Sequence, residues 1–117
     1  LVYVRRIVHD VTVHYARLND WRAERDHCIA AGDARERIEE LGQLIDETVD
    51  TLNRLYDELA AVGCELKDWA TGLVDFPSER DGRPICLCWR LGEPRVAWWH
   101  ELQAGYAGRL PITPDPA

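Results

Sequence analysis

The sequence predicts an α+β fold, a long antiparallel helical hairpin followed by a small antiparallel sheet, on three observations. Apolar residues recur every three to four positions from Leu1 to about Ala30; they recur again as an unbroken heptad from Ile38 to Val62; beyond Gly63 the apolar period falls to two. The expected division is 1–62 for the hairpin, 64–102 for a sheet of three to four strands and 103–117 for a tail, all within one domain spanning 1–117. At 117 residues and 46% hydrophobic, the chain can build one core without covalent staples.

The first helical stripe is Leu1, Val4, Val8, Val11, Tyr15 and Leu18, continued on a slightly rotated line by Trp21 and Ile29. Gly32 then offers a left-handed C-cap, and Asp33 an N-cap with Glu36 three residues on to close a capping box. The second stripe is Ile38, Leu41, Ile45, Thr48, Leu52, Leu55, Leu59 and Val62, with Thr48 the one polar member. So short a loop makes the two helices antiparallel neighbours, an antiparallel coiled-coil hairpin. Leu44, Val49 and Tyr56 widen the stripe beyond what one partner helix covers. The hairpin is therefore expected to pack on the C-terminal half or on a second copy of the chain.

The β half is punctuated by turns. Cys64 to Asp68 reads as a short strand, Thr71-Gly72 as a turn, Leu73 to Arg80 as a strand, Asp81-Gly82 as a two-residue hairpin turn and Arg83 to Leu91 as the returning strand. That turn places Arg80 opposite Arg83, Ser78 opposite Ile85, Phe76 opposite Leu87 and Val74 opposite Trp89 on one face. The other face pairs Glu79 with Pro84, Pro77 with Cys86, Asp75 with Cys88 and Leu73 with Arg90. For the strand from Arg95 to Glu101 a type II′ turn starting at Gly92 is favoured. It puts Val96, Trp98 and His100 on the apolar face and Ala97, Trp99 and Glu101 beside Cys88, Cys86 and Asp75. The opposite parity sets His100 across from Cys86, because a slip of one residue exchanges the faces. The tail, rich in Gly and Pro, is expected as irregular coil, ordered where Tyr106 or Ile112 docks.

The residues with chemistry gather between Asp68 and Arg109. The candidate ligand-binding set is Asp68, Asp75, Cys88, Trp99, His100, Glu101 and Arg109, since a histidine beside opposed carboxylates suits proton transfer and an arginine suits an anion. The plainer reading is a network of buried ion pairs fixing sheet to helices, and it is preferred. Cys86, Cys88, Asp75 and His100 have metal-ligand types, but Cys-x-Cys with one His is not the spacing of structural zinc. The cysteines are thus read as small apolar residues under a cover, and no metal or other cofactor is assigned. Glu24 and His27 have the E-x-x-H spacing of di-iron bundles, yet one copy on two helices is too few, and they read as a solvated face, as do the charges from Glu36 to Glu40. His9 and His14 read as surface or seam residues. Trp99 among the cysteines predicts a covered second face, by the tail, a ligand or, as favoured here, a second subunit.

A net charge of -7 argues against nucleic acid as a partner. Thirteen of the 14 basic residues are Arg and only Lys67 is Lys, a bias that genome composition explains as readily as function. Cys28, Cys64, Cys86 and Cys88 are expected as reduced thiols. The absence of an apolar run of membrane-spanning length, or of a leader, predicts a soluble cytoplasmic protein. The chain opens in mid-pattern without Met, and native sequence is expected to precede Leu1.

Three blocks, CELKDWATGLVDFPSERDG, ICLCWRLGEPRVAWWHE and AGYAGR, occur in order with matching gaps. By them the chain resembles the domain of unknown function 2203 family of small bacterial and archaeal proteins, over essentially its whole length. That family usually opens with a short F-T-x-x-E-A-N-like segment, and this chain starts just after its place. The resemblance implies the fold and a cytoplasmic setting, and no activity, cofactor or catalytic residue. The functional expectation is a non-enzymatic, homodimeric binding or protein-interaction module with a small-molecule or protein partner. The alternative is a metal- or acid/base-dependent enzyme with a site near Asp75, Cys88, His100, Glu101 and Arg109.

Overall fold

In the computed structural model, which describes residues 1–32 and 34–112, two long helices lead into a five-stranded sheet. Helix α1 (Val2–Ala31) and helix α2 (Arg35–Ala61) are packed against each other as a hairpin. Gly32 closes α1 in the left-handed conformation, its N–H reaching the carbonyls of Cys28 and Ile29. The capping box assigned to Asp33 falls outside the described residues; α2 is entered through Ala34, at φ 60°.

The seam follows the heptad through its middle. Leu41, Ile45, Thr48, Leu52, Leu55 and Leu59 are buried on α2, facing Val4, Ile7, Val8, Val11 and Leu18 on α1. Each such aliphatic side chain contributes about 1.5–3 kcal/mol by leaving water. Thr48 stays in the seam because its hydroxyl donates to the Leu44 carbonyl at 2.7 Å. The ends of both stripes depart from expectation: Leu1, Ile29 and Val62 are 43%, 55% and 48% exposed, since the partner helix does not reach past them.

The sheet runs β1 (Glu65–Asp68), β2 (Leu73–Arg80), β3 (Arg83–Arg90), β4 (Trp98–Glu101) and β5 (Leu110–Pro111), paired antiparallel in sequence order. The β2–β3 register is the expected one throughout, from Arg80 opposite Arg83 to Leu73 opposite Arg90. Asp81 and Gly82 both have positive φ, 52° and 77°, the backbone that a type I′ turn requires and that Asp-Gly supplies at low cost. Val74 and Trp89, on one face, join the helix residues and Leu66 in a single core, with Trp89 wholly buried. Gly72 makes this joint possible, because a Cβ there would meet Val8 Cγ1 at 2.6 Å.

Two features differ from the sequence reading. A fifth strand forms where coil was expected: after a turn of 3-10 helix at Tyr106–Gly108, Leu110 and Pro111 pair with Trp99 and Trp98. Strand β4 is shorter than 95–101 and lies in the other parity, with Cys86 opposite His100, Leu87 opposite Trp99 and Cys88 opposite Trp98. The cause is the connection from Leu91 to Ala97, which is not a two-residue turn. Pro94 has no N–H to give a ladder, and Glu93 folds back instead, its N–H bonding the Arg90 carbonyl and its carboxylate accepting the Arg90 N–H at 2.6 Å. The Glu93 carbonyl accepts the Trp89 indole N–H at 2.9 Å, and Arg5 of α1 donates to the Pro94 carbonyl at 3.1 Å.

Candidate functional site

The corrected parity decides what shares a face. Asp75, Cys86, Cys88, Trp98 and His100 lie together on the face away from the hairpin core, whereas Trp99 and Glu101 lie on the other. His100 therefore joins the cysteines and Trp99 leaves them, the reverse of what a turn at Gly92 implies. Trp99 instead sits under the Arg80 guanidinium at 4.7 Å. Glu101 pairs with Arg83 at 2.8 Å on a half-exposed surface, an ion pair of the kind that contributes little. Asp68 is also structural: its carboxylate accepts the Ala70 and Thr71 N–H groups and holds the turn into β2.

On the shared face His100 reaches across β3 to Asp75, with Nε2 3.0 Å from Oδ1, and both residues are 2% exposed. Its Nδ1 lies 2.7 Å from the Glu101 carbonyl oxygen. A carbonyl can only accept, so Nδ1 carries a proton. Burial works against a charged ring here, but the Glu101 carbonyl and the Asp75 carboxylate outweigh it and raise the His100 pKa above the ordinary histidine value. The two groups form a buried histidine–carboxylate hydrogen bond.

Cys86 and Cys88 flank this pair. Burial pushes the Cys86 thiol up, helped by the negative charges of Asp75 and Glu65. Burial likewise drives Cys88 up to about 11, with Arg109 opposing and a hydrogen bond to Asp75 adding to the rise. At neutral pH Cys88 is thus a thiol, not a nucleophile. Asp75, Cys86 and His100 each bring one ligand atom, O, S and N, and the three atoms lie within 4.8 Å of one another.

The Cys88 end is roofed by the tail. The Arg109 guanidinium lies 4.7 Å from the Trp98 ring and 4.7 Å from the Tyr106 ring, and its Nη2 is 3.0 Å from both Glu93 carboxylate oxygens. Burial raises the Glu93 pKa, but hydrogen bonds from Arg109 and Arg90 outweigh it and hold the carboxylate below its usual range. Glu93 thus sets the β4 parity and seats the roof. Residue types alone did not mark it, and its place between Gly92 and Pro94 in a turn was the available signal. Of the sequence candidates, Asp75, Cys88, His100 and Arg109 converge, whereas Asp68, Trp99 and Glu101 do not.

Both ring nitrogens of His100 are engaged and the ring is buried. That geometry does not present an acid or base to a substrate, and the acid/base expectation finds no support in it. A cavity of about 330 Å³ lies elsewhere, between the helices and the β1–β2 turn, walled by Tyr15, Leu18, Val49, Leu52 and Trp69.

A family model described as Uncharacterized conserved protein (DUF2203) matches residues 1–112. No curated protein and no solved structure matches the chain. No helix of the described residues is long and apolar enough to cross a membrane.

Proposed function

We propose, for a chain that belongs to the DUF2203 family, that the protein is a non-enzymatic binding module whose sheet takes a divalent metal ion through Asp75, Cys86 and His100. The observation that carries this reading is the O, S, N trio within 4.8 Å, buried on one sheet face. The His100 Nδ1–H on the Glu101 carbonyl is the hydrogen bond that metal-bound histidines make with their outer nitrogen, leaving Nε2 for the ion. A carboxylate and a thiolate neutralise a dication, so the loaded site suits burial where an unpaired charge would not. Loading releases the Cys86 thiol proton, which makes affinity rise with pH. A reducing, cytoplasmic setting belongs to this reading, because Cys86 acts as a thiolate.

Protein purified without chelator, or dialysed against zinc, is expected to hold about one ion per chain by elemental analysis. Cys86→Ser and His100→Ala are expected to hold none. Wild-type protein that stays metal-free after zinc dialysis would sink the reading.

One surface favours a second property, self-association through the hairpin. Tyr56 stacks on Trp69 at 5.7 Å yet is 39% exposed, at the edge of the groove that Val49 and Tyr15 wall. These residues continue the α2 stripe past what α1 covers, and a second copy of the chain would bury them. Native mass spectrometry at micromolar concentration is expected to show a dimer that Tyr56→Ala weakens; a wild-type monomer there defeats the idea.

A further inference from the structure

We infer that Glu65 is the fourth ligand of this site and Lys67 its counter-ion in the metal-free state, making a four-coordinate centre to which each of four adjacent strands gives one ligand. The inference rests on the metal reading above and goes further, because it fixes coordination number, net charge and the class of ion.

Register supplies the argument. Glu65 of β1 is the cross-strand partner of Asp75 of β2, so the two side chains project from the same face, with Cβ atoms about 5 Å apart. Asp75 on β2, Cys86 on β3 and His100 on β4 already converge there. In the metal-free chain the Glu65 carboxylate is turned to Lys67, at 2.7 Å from Nζ, and both side chains are about half exposed, 58% and 43%. An exposed pair of this kind is weak, being screened by water and costly in side-chain entropy. Turning Glu65 from the ammonium to a dication next to Asp75 therefore meets little resistance.

Charge and donor type then choose the ion. Two carboxylates, one thiolate and one neutral imidazole carry -3; a dication brings the centre to -1, and the residual charge falls at the Glu65 edge, which meets solvent. Mixed O, N and S donors at four-coordination suit zinc, with cobalt(II) as its spectroscopic stand-in, and are a poor match for magnesium or calcium, which take oxygen donors. Cys88 is not the fourth ligand in this scheme. Cys88 stands opposite Asp75 in the β2–β3 ladder, but Cys86 is the thiol grouped with Asp75 and His100.

The test is cobalt(II) titration of the reduced full chain, followed by visible absorption, beside Glu65→Gln and Lys67→Ala. Both positions are exposed enough that folding is unaffected, and circular dichroism checks it. Wild type is expected to give the intense visible bands of tetrahedral cobalt with a thiolate charge-transfer band. Glu65→Gln is expected to weaken binding at least about 10-fold, the scale on which metal sites lose a supporting group, and to change the band intensities. Lys67→Ala, which removes the competitor for Glu65, is expected to bind as tightly as wild type or tighter. Equal affinity and an identical spectrum for wild type and Glu65→Gln would overturn the role of Glu65 while leaving the three-ligand site standing. No cobalt bands in wild type would overturn both.

Discussion

Trp89→Ala lowers the unfolding free energy by about 3–5 kcal/mol, the range for emptying an aromatic site in a packed core. Trp89 is wholly buried where the sheet meets the hairpin, among Val4, Val8, Leu66 and Val74, with the Arg5 guanidinium 5.8 Å from its ring. Its indole N–H also holds the Glu93 carbonyl at 2.9 Å, so removal loosens the loop that sets the β4 parity. Trp89→Phe separates the two roles: it keeps an aromatic ring but leaves that carbonyl unpaired and the space underfilled, and it is expected to cost about 1–3 kcal/mol. Urea unfolding followed by circular dichroism reads both. A loss under about 1 kcal/mol for the alanine variant would mean that this core does not join the two halves.

Asp75→Ala in metal-free protein is expected to cost about 3–5 kcal/mol, as for other buried pairs broken from one side. The carboxylate, itself 2% exposed, is the partner of a 2% exposed His100 ring. Removing it leaves a buried imidazole that must shed its proton or remain charged without an anion. Asp75→Asn keeps the shape and one acceptor oxygen, and is expected to fall between wild type and alanine. If the alanine variant unfolds at the wild-type urea midpoint, His100 and Asp75 are not an ion pair in the folded chain.

Local pattern carried much of the fold. Of the α2 heptad from Ile38 to Val62, the six members from Leu41 to Leu59 are buried and the two ends are not, because a helix with one apolar stripe leaves water only where its partner reaches. Asp81-Gly82 fixed the β2–β3 register, since a two-residue turn admits one pairing. The β4 parity was not legible in the same way. It depends on Glu93 folding back onto Arg90 and on Arg109, 16 residues later, holding that carboxylate. Turn propensity at Gly92 contains no trace of either contact. That single register slip moved His100 to Asp75 and Cys86 and took Trp99 away, so an error of one residue in the fold became an error in the membership of the site. For Asp68 the sequence is ambiguous in another way: an aspartate before a turn looks the same whether its carboxylate binds a ligand or, as it does in the fold, caps backbone N–H groups.

The hairpin is buried unevenly along its length. No residue of α1 beyond Leu18 is buried, and none of α2 before Leu41. Near the tip the arms are joined by Arg37, which donates to Glu24 at 2.6 Å and to Glu40 at 2.9 Å from half-exposed positions. Such contacts are weak in water, and the apolar contacts in this part of the molecule, Trp21 among them, are only partly buried. The far third of the hairpin therefore behaves as a cantilever: it opens locally at a free energy below that of the whole domain, while the root beside Trp89 exchanges only when everything does.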